Sequence, residues 1–228
     1  PESTSLPPAA VGVPFLFLLT AGGTPAPGIS ILSGAPGWMS LLQGATRNKV
    51  RIALADGAVA VTPGTAPANW SIAAAGGLAV SVVGTGTEDG LPYIDVRCNG
   101  TTSSATAVRV YPETATGVAA ASGQAWTFSQ YVRLVAGSVA NITAFNLRVE
   151  ELTSGGVVNT GTTTAFGSVP TTGSLLSQRR TVSRTLSDGT SAYIRPQLNF
   201  TFASGVAIDI TLRIAGAQLE QAAAVTAW

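Results

Sequence analysis

Apolar and polar residues alternate with a period of two over long stretches of this chain. From Val206 to Ala215, the residues Val206, Ile208, Ile210, Leu212 and Ile214 alternate with Ala207, Asp209, Thr211, Arg213 and Ala215. Successive side chains of an extended strand point to opposite faces, so this pattern predicts a strand with one buried and one polar face. Ser191 to Phe202 repeats it, with Ile194, Leu198, Phe200 and Phe202 on one side and Tyr193, Arg195, Gln197 and Asn199 on the other. Ala125 to Leu134 places Trp126, Phe128, Val132 and Leu134 together, and Phe145, Leu147 and Val149 alternate with Asn146, Arg148 and Glu150. Further strands are predicted at 78–83, 91–98, 105–111 and 177–186. No long helical period interrupts them. A parallel sheet needs crossover helices, so the strands are expected to pair antiparallel. Turn signals spaced as here belong to a sandwich or barrel, and no repeat of solenoid length occurs.

Residues 1–66 have a different texture. Pro7-Pro8, Gly22-Gly23, Pro27-Gly28, Pro36-Gly37 and Pro63-Gly64 break them into short apolar pieces, which predicts an extended N-terminal anchoring or assembly segment with short strands. Residues 67–228 are expected to form the β-domain. Pieces such as Val13 to Leu19 cannot bury themselves alone and would gain by docking on another chain, for example as an added strand.

Composition narrows the function. Apolar residues make up 46% of the 228 residues and charged residues only 10%, against about 25% charged in an average domain. Lys49 is the single lysine among twelve basic residues. A surface so poor in charge suggests coverage by neighbouring subunits. The net charge of +1 gives no footprint for nucleic acid or an anionic membrane. Val11 to Thr20, the most apolar run, is too short to span a bilayer and contains Pro14; no basic residue precedes it, unlike a signal peptide. Histidine is absent, which removes the usual general base, the commonest metal ligand and the physiological pH switch. The single cysteine, Cys98, alternates with Ile94 and Val96 on an apolar side and reads as a buried thiol.

No catalytic constellation and no cofactor are expected. Ser-His-Asp and Cys-His arrangements need the missing histidine, and Gly84-Thr85-Gly86 lacks the lysine and helix of a phosphate loop. A glycosidase needs two facing carboxylates; a pair such as Asp95 and Glu150 could meet across a sheet, but the eleven acids are few and scattered over polar faces. No Cys/His metal cluster exists, and Glu88 and Asp89 are the only weak calcium candidates, a solvated turn being the plainer reading. One constellation stands out. All four tyrosines fall on polar sides: Tyr93 beside Asp95 and Arg97, Tyr111 beside Arg109, Tyr131 beside Arg133, and Tyr193 beside Arg195 and Gln197. Flat rings beside planar donors and acceptors suit sugars; they suit subunit interfaces as well, and tyrosine also favours amphipathic strand positions unaided. Strands of one sheet would gather these residues, and strands of two would divide them.

The second half resembles carbohydrate-binding-module-like jelly rolls in fibre, spike and tail structural proteins of tailed bacteriophages. The resemblance lies in Ala125 to Arg133 (AWTFSQYVR), Gln178 to Val182, Ile194 to Leu198, and Ile208 to Glu220 ending RIAGAQLE. It covers roughly 69–221; after Glu220 the chain departs from the usual tail. The resemblance implies an all-β, antiparallel jelly-roll-like sandwich and a non-catalytic virion structural protein at a particle surface. Such a subunit would partner other virion proteins, self-associate, with a trimer favoured, and attach to host-surface polysaccharide. The second reading is a carbohydrate-binding module of a secreted polysaccharide-degrading system.

Overall fold

The computed structural model describes residues 48–228, apart from 52 and 167. The prolines, glycines and apolar pieces of residues 1–47 lie outside the described residues. The described strands are β1 (Ser71–Ala73), β2 (Leu78–Glu88), β3 (Leu91–Thr101), β4 (Thr106–Tyr111), β5 (Val118–Ala119), β6 (Ala125–Gly137), β7 (Ile142–Leu152), β8 (Val158–Ala165), β9 (Arg179–Thr185), β10 (Tyr193–Phe202) and β11 (Ala207–Glu220). Among the described residues a 3-10 turn, Leu175–Gln178, precedes β9. Every strand predicted from alternation is present. The omissions are β1 and β5, each too short to show a period, and β8, whose sequence VNTGTTTA has no apolar face.

The strands form two antiparallel sheets. Sheet I has the order β2-β3-β11-β6-β9 and sheet II the order β1-β4-β10-β7-β8, with β5 also beside β10. Among its seven passages between the sheets in the described residues, the chain crosses from β3 to β4, β6 to β7, β8 to β9 and β10 to β11. Each of these pairs occupies corresponding positions, so β3-β11-β6-β9 and β4-β10-β7-β8 run in step. That connectivity is a jelly roll, two Greek keys wrapped into a sandwich.

The inward side chains of both sheets form one core. Ile94, Val96, Ile210, Leu212, Trp126 and Phe128 from sheet I meet Val108, Val110, Phe145, Leu147, Leu198 and Phe200 from sheet II. Phe145 and Phe200, adjacent on β7 and β10, stack with centroids 5.1 Å apart. Cys98 is buried in the same core, and desolvation pushes its thiol up to about 12. On β6 the apolar face is interrupted by Gln130, which is fully buried between Phe128 and Val132. At the β8–β9 side the core is closed by an ion pair between sheets. Glu151 of β7 binds Arg184 of β9 and also accepts hydrogen bonds from the Ser187 and Asp188 amides and the Ser191 hydroxyl. The described part of the stretch before β1 is attached to this body: Val50 enters the core, Arg51 pairs with Glu113, and Asn48 bonds the backbone of Ala217 and Leu219.

Strand β11 runs five residues beyond its predicted end. Its pairing with β6 slips between Ala215, opposite Tyr131, and Gln218, opposite Ser129. The extra residue sits at a bulge around Gly216, whose φ of +56° lies in the left-handed region that glycine adopts without strain. One inserted residue inverts the parity of all that follow. Ala217 and Leu219 therefore point into the core, and Gln218 and Glu220 face outward.

Candidate functional site

The period-two alternation places every called residue on an outer face, but on two different ones. Tyr93, Asp95 and Arg97 of β3 and Tyr131 and Arg133 of β6 lie on the outside of sheet I. Arg109 and Tyr111 of β4 and Tyr193, Arg195 and Gln197 of β10 lie on the outside of sheet II. The four tyrosines therefore do not form one cluster. Alternation fixes which side of a strand a residue occupies; the sheet to which that strand belongs is set by long-range pairing.

On sheet I the candidates are already engaged. Arg213 of β11, in register with Asp95, makes two 2.8 Å hydrogen bonds to its carboxylate, pairs with Glu88 and lies 3.5 Å from the centre of the Tyr93 ring. Arg133 reaches the same Glu88 at 3.2 Å, and Arg97 pairs with Asp209 at 2.8 Å. Gly84 and Gly86 of β2 make room for this arrangement: a Cβ on either would come within 2.6 Å of Asp95 and 2.8 Å of Tyr93. Tyr131 is only 6% exposed and packs with Leu91, Leu175 and Ala215. The final residues cross this same end of the sheet. Thr226 bonds Gln218 and Glu220, Thr127 donates to the Ala222 carbonyl, and Trp228 lies beside Gly216. A residue on the polar side of its strand is thus withdrawn from solvent by segments that alternation does not reveal.

Asp89 and Gly90 form the two-residue loop between β2 and β3, with φ of +53° and +79°. These are the values of a type I′ hairpin, for which Asp-Gly is a favoured sequence. Glu88 is taken by Arg213 and Arg133, and Asp89 accepts a hydrogen bond from Ser174. No group of three or more candidate metal ligands occurs among the described residues.

Sheet II presents an ordered outer grid. Ser71, Tyr111, Gln197, Arg148 and Thr163 run in one row across five strands, from β1 to β8. The next row is Ala73, Arg109, Asn199, Asn146 and Ala165. Toward the other end of the strands, Arg195 faces Glu150 and then Gly161, and beyond them Tyr193 faces Ala119 of β5. Strands about 4.8 Å apart make each five-strand row roughly 19 Å wide. Arg195 binds Glu150 at 2.7 Å and lies 4.3 Å from the centre of the Tyr111 ring; the Tyr111 hydroxyl accepts a 2.9 Å hydrogen bond from Gln197. Arg148 approaches Glu150 at 3.5 Å, and Gly161 leaves space for its guanidinium, since a Cβ there would fall 2.6 Å from Nε. Arg109 is exposed. Neither the final residues nor the 3-10 turn hydrogen-bonds this face among the described residues.

Sequence reasoning missed Asn146, Arg148 and Glu150 as members of this face, although their alternation with Phe145, Leu147 and Val149 was visible. The missing information was that β7 lies directly beside β10. The carboxylates considered as a catalytic pair are separated: Asp95 is outside sheet I and Glu150 outside sheet II, each held by an arginine.

No protein-family model matches the chain, and no curated protein matches it. Among solved structures, a CBM4 structure is similar at 16% identity, covering 75% of this chain and 98% of its own, with a TM-score of 0.41. A CBM22-1 xylan-binding domain from Paenibacillus barcinonensis is similar at 17% identity, covering 69% and 88%, with a TM-score of 0.40. A structure of carbohydrate-binding modules from the β-sandwich superfamily is similar at 15% identity, covering 66% and 56%, with a TM-score of 0.45. These neighbours are carbohydrate-binding modules, and none of them is described as a phage protein.

Proposed function

We infer that this chain is a non-catalytic carbohydrate-binding module that holds polysaccharide across the outer face of sheet II. The observation that carries this reading is the Tyr111–Gln197–Arg148 row, flanked by Arg195–Glu150 and by Arg109–Asn199–Asn146. Sugar hydroxyls are donors and acceptors together, and they match planar side chains such as Arg, Gln and Asn. Holding Arg195, Gln197 and Tyr111 in place before a ligand arrives reduces the ordering cost of binding. Sheet I is the poorer candidate, because Arg97, Arg133 and Arg213 are each in an ion pair and part of it lies beneath the final residues and the 3-10 turn. The reading rests on this face and not on the distant neighbours.

The non-catalytic part of the proposal is supported by the state of six of the ten acids among the described residues. Glu88, Asp95, Glu113, Glu150, Glu151 and Asp209 are each in an ion pair with arginine. Hydrolysis of a glycoside requires one carboxyl group to give up or take a proton beside another across the substrate. The virion-subunit expectation, its partners and its oligomeric state draw no support from the described residues. The proposal therefore follows the second expectation, a polysaccharide-binding module.

Affinity electrophoresis of the full chain through gels containing neutral and acidic polysaccharides tests the reading. Retardation by at least one of them, with no reducing ends released from it, is the expected result. Unchanged mobility in every gel would remove the proposal.

A further inference from the structure

The two outer faces differ in charge balance. Outward along the strands of sheet I are Arg97, Arg133, Arg179 and Arg213, and with them Glu88, Asp95, Asp209 and Glu220. Positive and negative charges there are equal in number. Along the strands of sheet II the charged residues are Arg109, Arg148, Arg195, Glu150 and Glu151. Glu151 is excluded from the outer face, because it points between the sheets to Arg184. Three arginines thus face one glutamate, a surplus of two positive charges in a chain whose net charge is only +1.

The donors of this face are also incompletely used. Glu150 makes two hydrogen bonds, both to Arg195, and contacts Arg148 only at 3.5 Å. The Arg148 Nε is buried without a hydrogen-bond partner. Arg109 has no ion pair or hydrogen bond from its side chain among the described residues, although it stands one row from Arg148 across Asn199 and Asn146. The Tyr111 ring, meanwhile, has one face covered by the Arg195 guanidinium. A neutral sugar ring would have that stacking surface halved, would leave Arg109 without a counter-charge, and would leave Arg148 with only its 3.5 Å contact to a Glu150 already shared with Arg195.

We propose that the ligand class of this face is an acidic polysaccharide, whose carboxylate or sulfate groups are taken by Arg109 and Arg148 while Asn146, Asn199 and Gln197 meet its hydroxyls. The inference rests on the reading of sheet II as a polysaccharide-binding face. Guanidinium groups bind carboxylate and sulfate oxygens through charge-assisted, often paired hydrogen bonds, and two such contacts one row apart would fix the direction of a chain lying along the grid. Neutral Asn, Gln and Thr between them add contacts without repelling the anion.

The test is affinity electrophoresis of the full chain in polygalacturonate, dextran sulfate and neutral dextran, at low and high salt, with Arg109→Ala and the double variant Arg109→Ala/Arg148→Gln. Arg109 is an exposed side chain without a partner among the described residues, so its replacement leaves the fold intact, and circular dichroism checks both variants. The expected result is retardation by an acidic polymer and not by dextran, abolished at high salt. Arg109→Ala should weaken it about threefold to fivefold and the double variant more. Retardation by polygalacturonate alone assigns carboxylate recognition, by dextran sulfate alone sulfate recognition, and by both a shared anion site. Salt-insensitive binding to dextran equal to that of the acidic polymers overturns this inference and leaves the binding-module reading standing. Acidic binding unaffected by the double variant removes the site, as does equal retardation by duplex DNA. Failure to bind any polysaccharide overturns both readings.

Discussion

At the residue scale, Glu151 shows most directly how a buried charge is made tolerable. Burial works against its ionised form, but hydrogen bonds from Ser191, from the Asp188 and Ser187 amides and from Arg184 outweigh that cost and hold its carboxyl below the usual carboxylate range. A depressed carboxylate contributes stability above its unfolded pKa, about 4.3, and loses it as pH falls through the lower folded value. The melting temperature should therefore fall below about pH 4. Glu151→Ala should cost about 3–5 kcal/mol at neutral pH, since it strands Arg184, and should flatten the acid limb of a stability–pH curve measured by denaturant unfolding. A variant with wild-type stability at pH 7 would show that this pair does not close the sandwich. Cys98 supplies a second test. With its thiol pushed up to about 12 by burial, it should resist a thiol reagent at pH 8 in the native protein and react at once in denaturant. The Ile94-Val96-Cys98 alternation made the burial legible, whereas Glu151 was unremarkable in sequence because its partners arrive from β9 and from the loop before β10.

At the element scale, the strands with a clear apolar face were readable, and the ones without it were not. β8 is an edge strand built from threonine, with few apolar contacts to reveal it. The bulge in β11 was legible only as a glycine inside an apolar run. Its consequence, the outward turn of Gln218 and Glu220, depends on the extra residue. Gly216→Ala tests that account against Gly90→Ala. Both glycines have positive φ, and an alanine at either costs about 1–2 kcal/mol in backbone strain. At Gly90 no atom lies within 4 Å of the new Cβ, but at Gly216 the Tyr131 ring would be 2.8 Å away. Thermal melts should therefore place Gly216→Ala clearly below Gly90→Ala. Equal melting temperatures would mean that Tyr131 yields freely and that the bulge does not need glycine for packing.

At the scale of the whole molecule, the antiparallel all-β class followed from the residues and the jelly roll from the resemblance. The virion assignment came from the same strand motifs, which record how an apolar face is buried in a sandwich and carry little about what the outer faces bind. The site was half legible. Sequence named Arg109, Tyr111, Arg195 and Gln197 correctly as outward polar residues, and equally named Tyr93 and Tyr131, which folding commits to internal contacts. Only the strand order β1-β4-β10-β7-β8 joins the first set to Arg148, Asn146 and Asn199.

That asymmetry between faces can be measured by comparing two double variants of the full chain on one polysaccharide gel. Arg109→Ala/Asn199→Ala alters the outer face of sheet II, and Arg97→Ala/Thr211→Ala alters the outer face of sheet I, where the exposed Arg97–Asp209 ion pair it removes is worth at most about 1 kcal/mol. If polysaccharide lies on sheet II, the first variant loses retardation and the second migrates like the wild type. Loss in the second with binding intact in the first would place the ligand on the opposite face and contradict the account.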